Sequence, residues 1–280
     1  MEKKKILITV KTYPTPANKY IETVCTAGLT ESGEWIRLYP IRFRMLDEEK
    51  QFKKFDWIEV EVEKRSINKD RRPESYFCNS DSIRIIGHLD TGGGHWPLRR
   101  TVCLKNVYTS MDKLLIDSDP VGPCKSLATF KPSRILDFTV REIDTKELDS
   151  KKIAIEKNLR DQHDMFETDI PLYWKFARSI PFRFGYRFLD SNRKEYDSLL
   201  EDWEIAALFL KYAHDQTRAV EQIRKKYYDD FALQKEVYFF VGTRLKHHLK
   251  RYPNYFSIIG VFPPAYEPAN QQLPLVFSSI

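Results

Sequence analysis

Hydrophobic residues recur in this chain mainly with a period of two, the period of a strand with one buried face. Asp56–Lys64 is the clearest case. Trp57, Glu59, Glu61 and Glu63 share one parity, while Ile58, Val60 and Val62 hold the other. That pattern predicts a sheet with one wet face. Ile6–Val10 reads as a buried strand, ended by Pro14 and Pro16, which cannot donate to a ladder. Ile21–Leu29 resumes as a strand, Ser32-Gly33 marks a turn, and Glu34–Tyr39 follows as the hairpin partner. In that partner Trp35, Arg37 and Tyr39 fall on one parity, with Ile36 and Leu38 on the other. Ser82–Leu89 is a further strand, and a short helix is predicted near Leu98–Asn106. Short strands joined by polar loops predict a small closed barrel in this half.

The second half starts with a strand at Ile135–Val140. In Pro181–Phe188, Phe182, Phe184, Tyr186 and Phe188 share one face, and Arg183 and Arg187 the other. Val237–Gly242 and Tyr255–Phe262 read as buried strands. Between them the period changes to that of a helix. Leu199, Trp203, Ala206 and Leu210 form a stripe over Leu199–His214. Val220, Ile223 and Tyr227 form another over Asp215–Leu233, with Asp215 as N-cap. The predicted fold class is strand-rich α+β: a small N-terminal β-barrel, then a second β domain with a helical pair inserted near 199–233. Asp144–Ser150 is the predicted boundary, giving domains 1–145 and 146–280.

Composition narrows the partner. The chain of 280 residues carries a net charge of +6. Residues 1–140 hold 24 Lys/Arg against 19 Asp/Glu, and the remainder 22 against 21. An anionic partner would therefore meet the N-terminal half first. Cys25, Cys78, Cys103 and Cys124 form no CxxC pair and stand beside no His at ligand spacing, so neither a zinc site nor a cofactor is expected. Cys25, in an apolar run, reads as a buried small hydrophobe. The opening Met1–Val10 lacks the long apolar core of a signal peptide or membrane span, and a cytoplasmic setting without membrane contact is expected.

The candidate chemistry is that of binding. Trp35, Arg37 and Tyr39, followed by Arg42 and Arg44, would present aromatics for base stacking and guanidiniums for phosphates. The loop after Lys64, with Arg65, Lys69, Arg71 and Arg72, suits phosphates. Gly92–Gly94 with Trp96, Arg99 and Arg100 reads as a flexible loop presenting an aromatic; it lacks the Lys-Ser/Thr of a nucleotide-hydrolysing loop. Asp202 and Glu204 read as acids at a helix start. His247-His248 reads as part of a solvated basic loop. No Ser-His-Asp, Cys-His or HExxH arrangement stands out, so an enzyme is not the leading expectation.

Thr23-Val24-Cys25-Thr26-Ala27-Gly28 followed by Gly33-Glu34-Trp35-Ile36-Arg37, together with the strand Ile135–Val140, resembles the start of the dual-OB-fold domain proteins of prokaryotic mobile-element and defence-linked gene neighbourhoods. The resemblance implies tandem OB-like barrels, nucleic-acid binding and partnership with an effector protein subunit. Tyr186-Arg187-Phe188 before Asp202-Trp203-Glu204 is also similar to related proteins, in which Cys and His ligands are expected between the two; Leu189–Tyr196 holds none. The resulting expectation is a DNA- or RNA-binding protein that prefers single strands to duplex and serves a defence or processing system. A metal-dependent nuclease, with Glu48 and Asp202 as first acids, and an interaction scaffold using Tyr255–Phe262 are the rivals.

Overall fold

Alternation in the sequence becomes pairing in the computed structural model, which is described over residues 1–17, 21–163, 175–250 and 255–267. Five strands close a barrel: β1 (Glu2–Lys11), β2 (Thr26–Leu29), β3 (Trp35–Leu38), β4 (Asp56–Lys64) and β5 (Ser75–Cys78). Its ring order is β1-β2-β3-β5-β4, and β4 returns to β1. All contacts are antiparallel except β3 with β5. β1 is shared along its length: Glu2–Leu7 pairs with β4 and Leu7–Lys11 with β2. β6 (Arg84–His88) adds to β4 outside the ring. Ile36, Leu38, Ile58, Val60 and Val62 fill the barrel, as their parity predicts. Phe43 and Phe52, from the turns between β3 and β4, fill it too, in edge contact at 5.0 Å.

The second sheet repeats the plan. After α1 (Pro97–Cys103), the short β7 (Val107–Tyr108) and α2 (Met111–Asp117) come β8 (Leu127–Phe130) and β9 (Arg134–Glu142). α3 (Lys146–His163) follows, then β10 (Phe182–Leu189) and β11 (Glu195–Leu200). α4 (Trp203–Lys211) and α5 (Gln216–Arg224) precede β12 (Tyr238–Thr243) and β13 (Phe256–Phe262). The order is β9-β10-β11-β13-β12-β8, with β7 at the edge, and β11 meets β13 in parallel. β8 and β9 are separated only by Lys131–Ser133. Read as one bent first strand, they give the first barrel's order, with α4 and α5 between the third and fourth strands, where the first barrel has turns.

The helical stripe from Leu199 needs correction. Glu195–Leu200 is a strand, with Leu199 opposite Gly185 and Leu200 opposite Ile258. The helix starts only at Trp203, where the Asp202 side chain accepts from Glu204 N. Asp215 caps α5 as expected, accepting from Arg218 N. The sheets part between His88 and Val107, whereas the boundary expected at 145 falls after β9. No helix among the described residues is long and apolar enough to cross a membrane.

A third apolar cluster joins the two sheets. Leu7, Val10, Ala27 and Leu29 of the first barrel pack with Leu127, Tyr238, Phe240, Ile259 and Phe262 of the second. The outer faces of β1 and β2 are thus interior to the molecule.

Candidate functional site: a cleft between the barrels

The same packing decides the fate of the aromatic-basic strand. Ile36 and Leu38 do point into the barrel, and Trp35 and Arg37 do point outward, but the second barrel covers that face. Trp35 meets Phe240 edge-on at 5.4 Å and 73°. Arg37 is 7% exposed, and its Nη2 donates to the Ser126 carbonyl at 3.2 Å and hydroxyl at 3.3 Å. Burial first, and the Arg72 guanidinium second, lower Arg37 to about 10, so it is charged at neutral pH.

Most other basic candidates are also internal ties. Arg72 is buried, holds Asp70 through Nε and Nη2, and donates from Nη1 to the Thr243 carbonyl at 2.9 Å. Arg65 donates to the Tyr39 carbonyl at 2.7 Å and lies over the half-buried Tyr39 ring. Arg44 holds the buried Glu22 through two contacts at 3.1 and 2.9 Å. Arg99 is buried over Phe55 and donates to the Leu89 carbonyl. Arg100 donates to Glu236 at 2.8 Å. Trp96 packs on Phe262 at 5.3 Å instead of standing clear in its loop. Arg42, Lys69 and Arg71 are exposed. Arg37, Arg72 and Arg99, expected to hold phosphates, are each buried and donate to protein acceptors.

Two further expectations change. Cys25 is exposed, while the other three thiols are buried. His248 is buried and stacked on Tyr255 at 5.2 Å, not part of a solvated loop. Its Nε2 faces the Ser118 carbonyl at 2.5 Å and so carries the proton, leaving Nδ1 to accept from Thr243 Oγ1 at 3.0 Å. The acids of the nuclease rival stand apart. Glu48 is exposed on a turn, and Asp202 is buried against Lys54 at 2.9 Å. Burial raises Asp202 above the usual carboxylate value. Among the described residues no group of three or more His, Cys, Asp or Glu is placed to hold a metal ion.

What the fold builds instead is a cleft of about 460 Å³ where equivalent loops of the two barrels meet. The segment after β1 supplies Thr12–Pro16 and Cys25. The segment between β9 and β10 supplies Ile143, Leu148, Lys152 and Arg178–Ile180. These segments are bonded together: Tyr13 Oη donates to the Arg178 carbonyl at 2.9 Å, and Ala177 N donates to Glu22 at 2.9 Å. Burial pushes the Tyr13 phenol up to about 12, keeping it a donor. β10 and β11, the second and third strands of their barrel, complete one wall with Phe182, Arg183, Phe184 and Leu199.

The cleft is cationic. Arg37, Lys152, Arg178, Arg183 and Arg244 line it against Glu201 and Asp202. Both acids are already held, Glu201 by Arg244 and Asp202 by Lys54. Arg178 and Arg183 are exposed and make no ion pair among the described residues. Among the described residues Arg37 also lacks a carboxylate partner, and its buried Nε has no hydrogen-bond partner. Of these groups sequence reasoning singled out Arg37 for binding. The alternation in Pro181–Phe188 set Arg183 outward, but the loop pairing that brings Arg178 and Tyr13 together has no local signature.

Two family models cover the chain almost end to end. One described as Domain of unknown function (DUF8758) matches residues 2–105, and one described as Domain of unknown function (DUF8757) matches residues 107–276. Their junction falls between the two sheets. No curated protein matches the chain.

Proposed function

We propose that this chain, which belongs to the family described as Domain of unknown function (DUF8757), binds single-stranded nucleic acid through the cleft between its barrels. The observation that carries the reading is the position of the cleft. Five-stranded barrels of this order take oligonucleotides on their second and third strands and on the loops beside them. In the second barrel those strands are β10 and β11, and the cleft lies against them with Arg178 and Arg183, unpaired among the described residues, at hand. Exposed guanidiniums suit phosphates, and Phe182 and Tyr13 offer ring faces for bases.

The resemblance of Thr23–Gly28 and Gly33–Arg37 to dual-OB-fold proteins supports a role as a recognition or accessory component of a prokaryotic defence or nucleic-acid-processing system, acting beside an effector subunit. Four free thiols without a disulfide favour a cytoplasmic setting.

Fluorescence anisotropy of short labelled DNA and RNA strands at two salt concentrations tests the reading. Binding that weakens with salt is expected, and Arg183→Ala and Arg178→Ala should each lower the log–log salt slope by about 0.7. No binding at low salt would sink the proposal. Binding untouched by both variants would move the site elsewhere.

A further inference from the structure

We propose that the inner part of this cleft is a pocket for one nucleotide, base inward and phosphate outward, supplied either free or as the unpaired end of a strand. The inference deepens the nucleic-acid reading and rests on it. Three observations carry it.

The first is size: about 460 Å³ is within the range that encloses one small ligand, and it is too small to hold a run of stacked bases. The second is the state of its buried polar groups. Arg37 is a buried guanidinium whose only hydrogen-bond partners among the described residues belong to Ser126, and its Nε is unpartnered among them. Buried charges and donors are ordinarily paired, because leaving them unpaired is costly. An apolar tail would leave that guanidinium unsatisfied. A heterocycle with ring nitrogen or carbonyl acceptors would satisfy it while its faces lie on the apolar wall of Phe182, Ile180 and Ile205. The third is the placement of exposed charge. Arg178 and Arg183 belong to the same cleft, are open to solvent and make no ion pair among the described residues, which suits a phosphate that stays hydrated.

Cys25 provides a native reporter. It lines the cleft and is exposed, whereas Cys78, Cys103 and Cys124 are buried, so a maleimide should label Cys25 first. Labelling rates of the full chain are measured alone, with inorganic phosphate, with a nucleoside monophosphate, with a blunt duplex and with the same duplex bearing one unpaired nucleotide. A ligand at ten times its dissociation constant should slow labelling about tenfold. Slowing by the monophosphate identifies a free nucleotide as the source. Slowing by the overhang but not by the monophosphate or the blunt duplex identifies a strand end. Inorganic phosphate should leave the rate unchanged. Arg37→Met should weaken protection about tenfold through loss of a charged donor. Should that variant misfold, Arg183→Ala, at an exposed position, carries the same expectation for the phosphate.

Unchanged labelling with every nucleotide ligand, in a protein that binds single strands by anisotropy, overturns the pocket and leaves the wider reading standing. Absence of both protection and strand binding overturns both. Protection by the monophosphate without strand binding keeps the pocket and removes the strand.

Discussion

The outward faces of the second and third strands meet opposite fates in the two barrels. In the first, β2 and β3 turn Ala27, Leu29, Trp35 and Arg37 toward the neighbouring barrel, where Phe240 and Ser126 receive them. In the second, β10 and β11 border the cleft, and Arg183 and Arg187 stand in solvent. The first face sets an aromatic beside an arginine, whereas β10 turns its arginines outward and its aromatics Phe184, Tyr186 and Phe188 into the core. What separates them is which barrel's face became the seam. An aromatic-basic strand face therefore identifies an outward surface but not an open one. The binding surface we propose lies on the barrel whose equivalent face stayed uncovered.

The comparison can be broken most forcefully at a pair of glycines on the second strand of each barrel. A Cβ at Gly28 would stand 2.2 Å from the Leu7 carbonyl oxygen, and one at Gly185 2.5 Å from that of Ser198. Neither backbone neighbour can step aside cheaply. Gly28→Val and Gly185→Val should each cost about 3 kcal/mol in denaturant unfolding. Gly87→Val, with nothing within 4 Å, should be close to neutral. Because the barrels share an apolar cluster, both variants should lower one common transition. A separate early transition, specific to each variant, would show two independently stable barrels.

A smaller effect separates the buried arginines at the seam. Arg72→Met leaves Asp70 without its guanidinium and should cost about 3 kcal/mol. Arg37→Met breaks no ion pair and should change the stability of the ligand-free protein by about 1 kcal/mol or less. Equal large losses would make Arg37 as structural as Arg72, and would remove the argument that its charge awaits a ligand.

The smallest effect is at Glu236, which accepts from Lys131, Tyr238 and Arg100 and so ties α1 to the second barrel. Burial alone would raise its carboxyl, but those donors hold it down at about 2. A carboxylate depressed in the folded state contributes stability above its unfolded value, and that contribution fades as pH falls toward about 2. Thermal unfolding from pH 5 down to 2 should show this slope in the wild type and a flatter one in Glu236→Gln. Identical slopes would refute the assignment.

Much of the fold was legible wherever one strand face is wet. Asp56–Lys64 and Pro181–Phe188 alternate because one side of each meets water, and both form strands over almost the expected bounds. β5 and β8 were missed. Each is only four residues long, and β8 is buried throughout, so no period could show. Leu199 misled because its apolar spacing continues smoothly from β11 into α4, while the Asp202 cap that separates them is a single residue. The repeat of strand order is a property of pairing partners far apart in the chain and left no matching residues to find. The covering of Trp35 and Arg37 depends likewise on Phe240 and Ser126, distant in sequence. The cleft was legible only in fragments, through Arg37 on its strand and Arg183 on its outward parity.

Hydrogen–deuterium exchange with and without a short single strand is the most direct test of the account. Slowed exchange is predicted at Thr12–Pro16, Cys25–Ala27 and Arg178–Phe184, the segments that form the cleft, with the loop from Arg65 to Arg72 unchanged. Protection of that loop and of Arg42–Arg44, with the cleft segments unaltered, would contradict it.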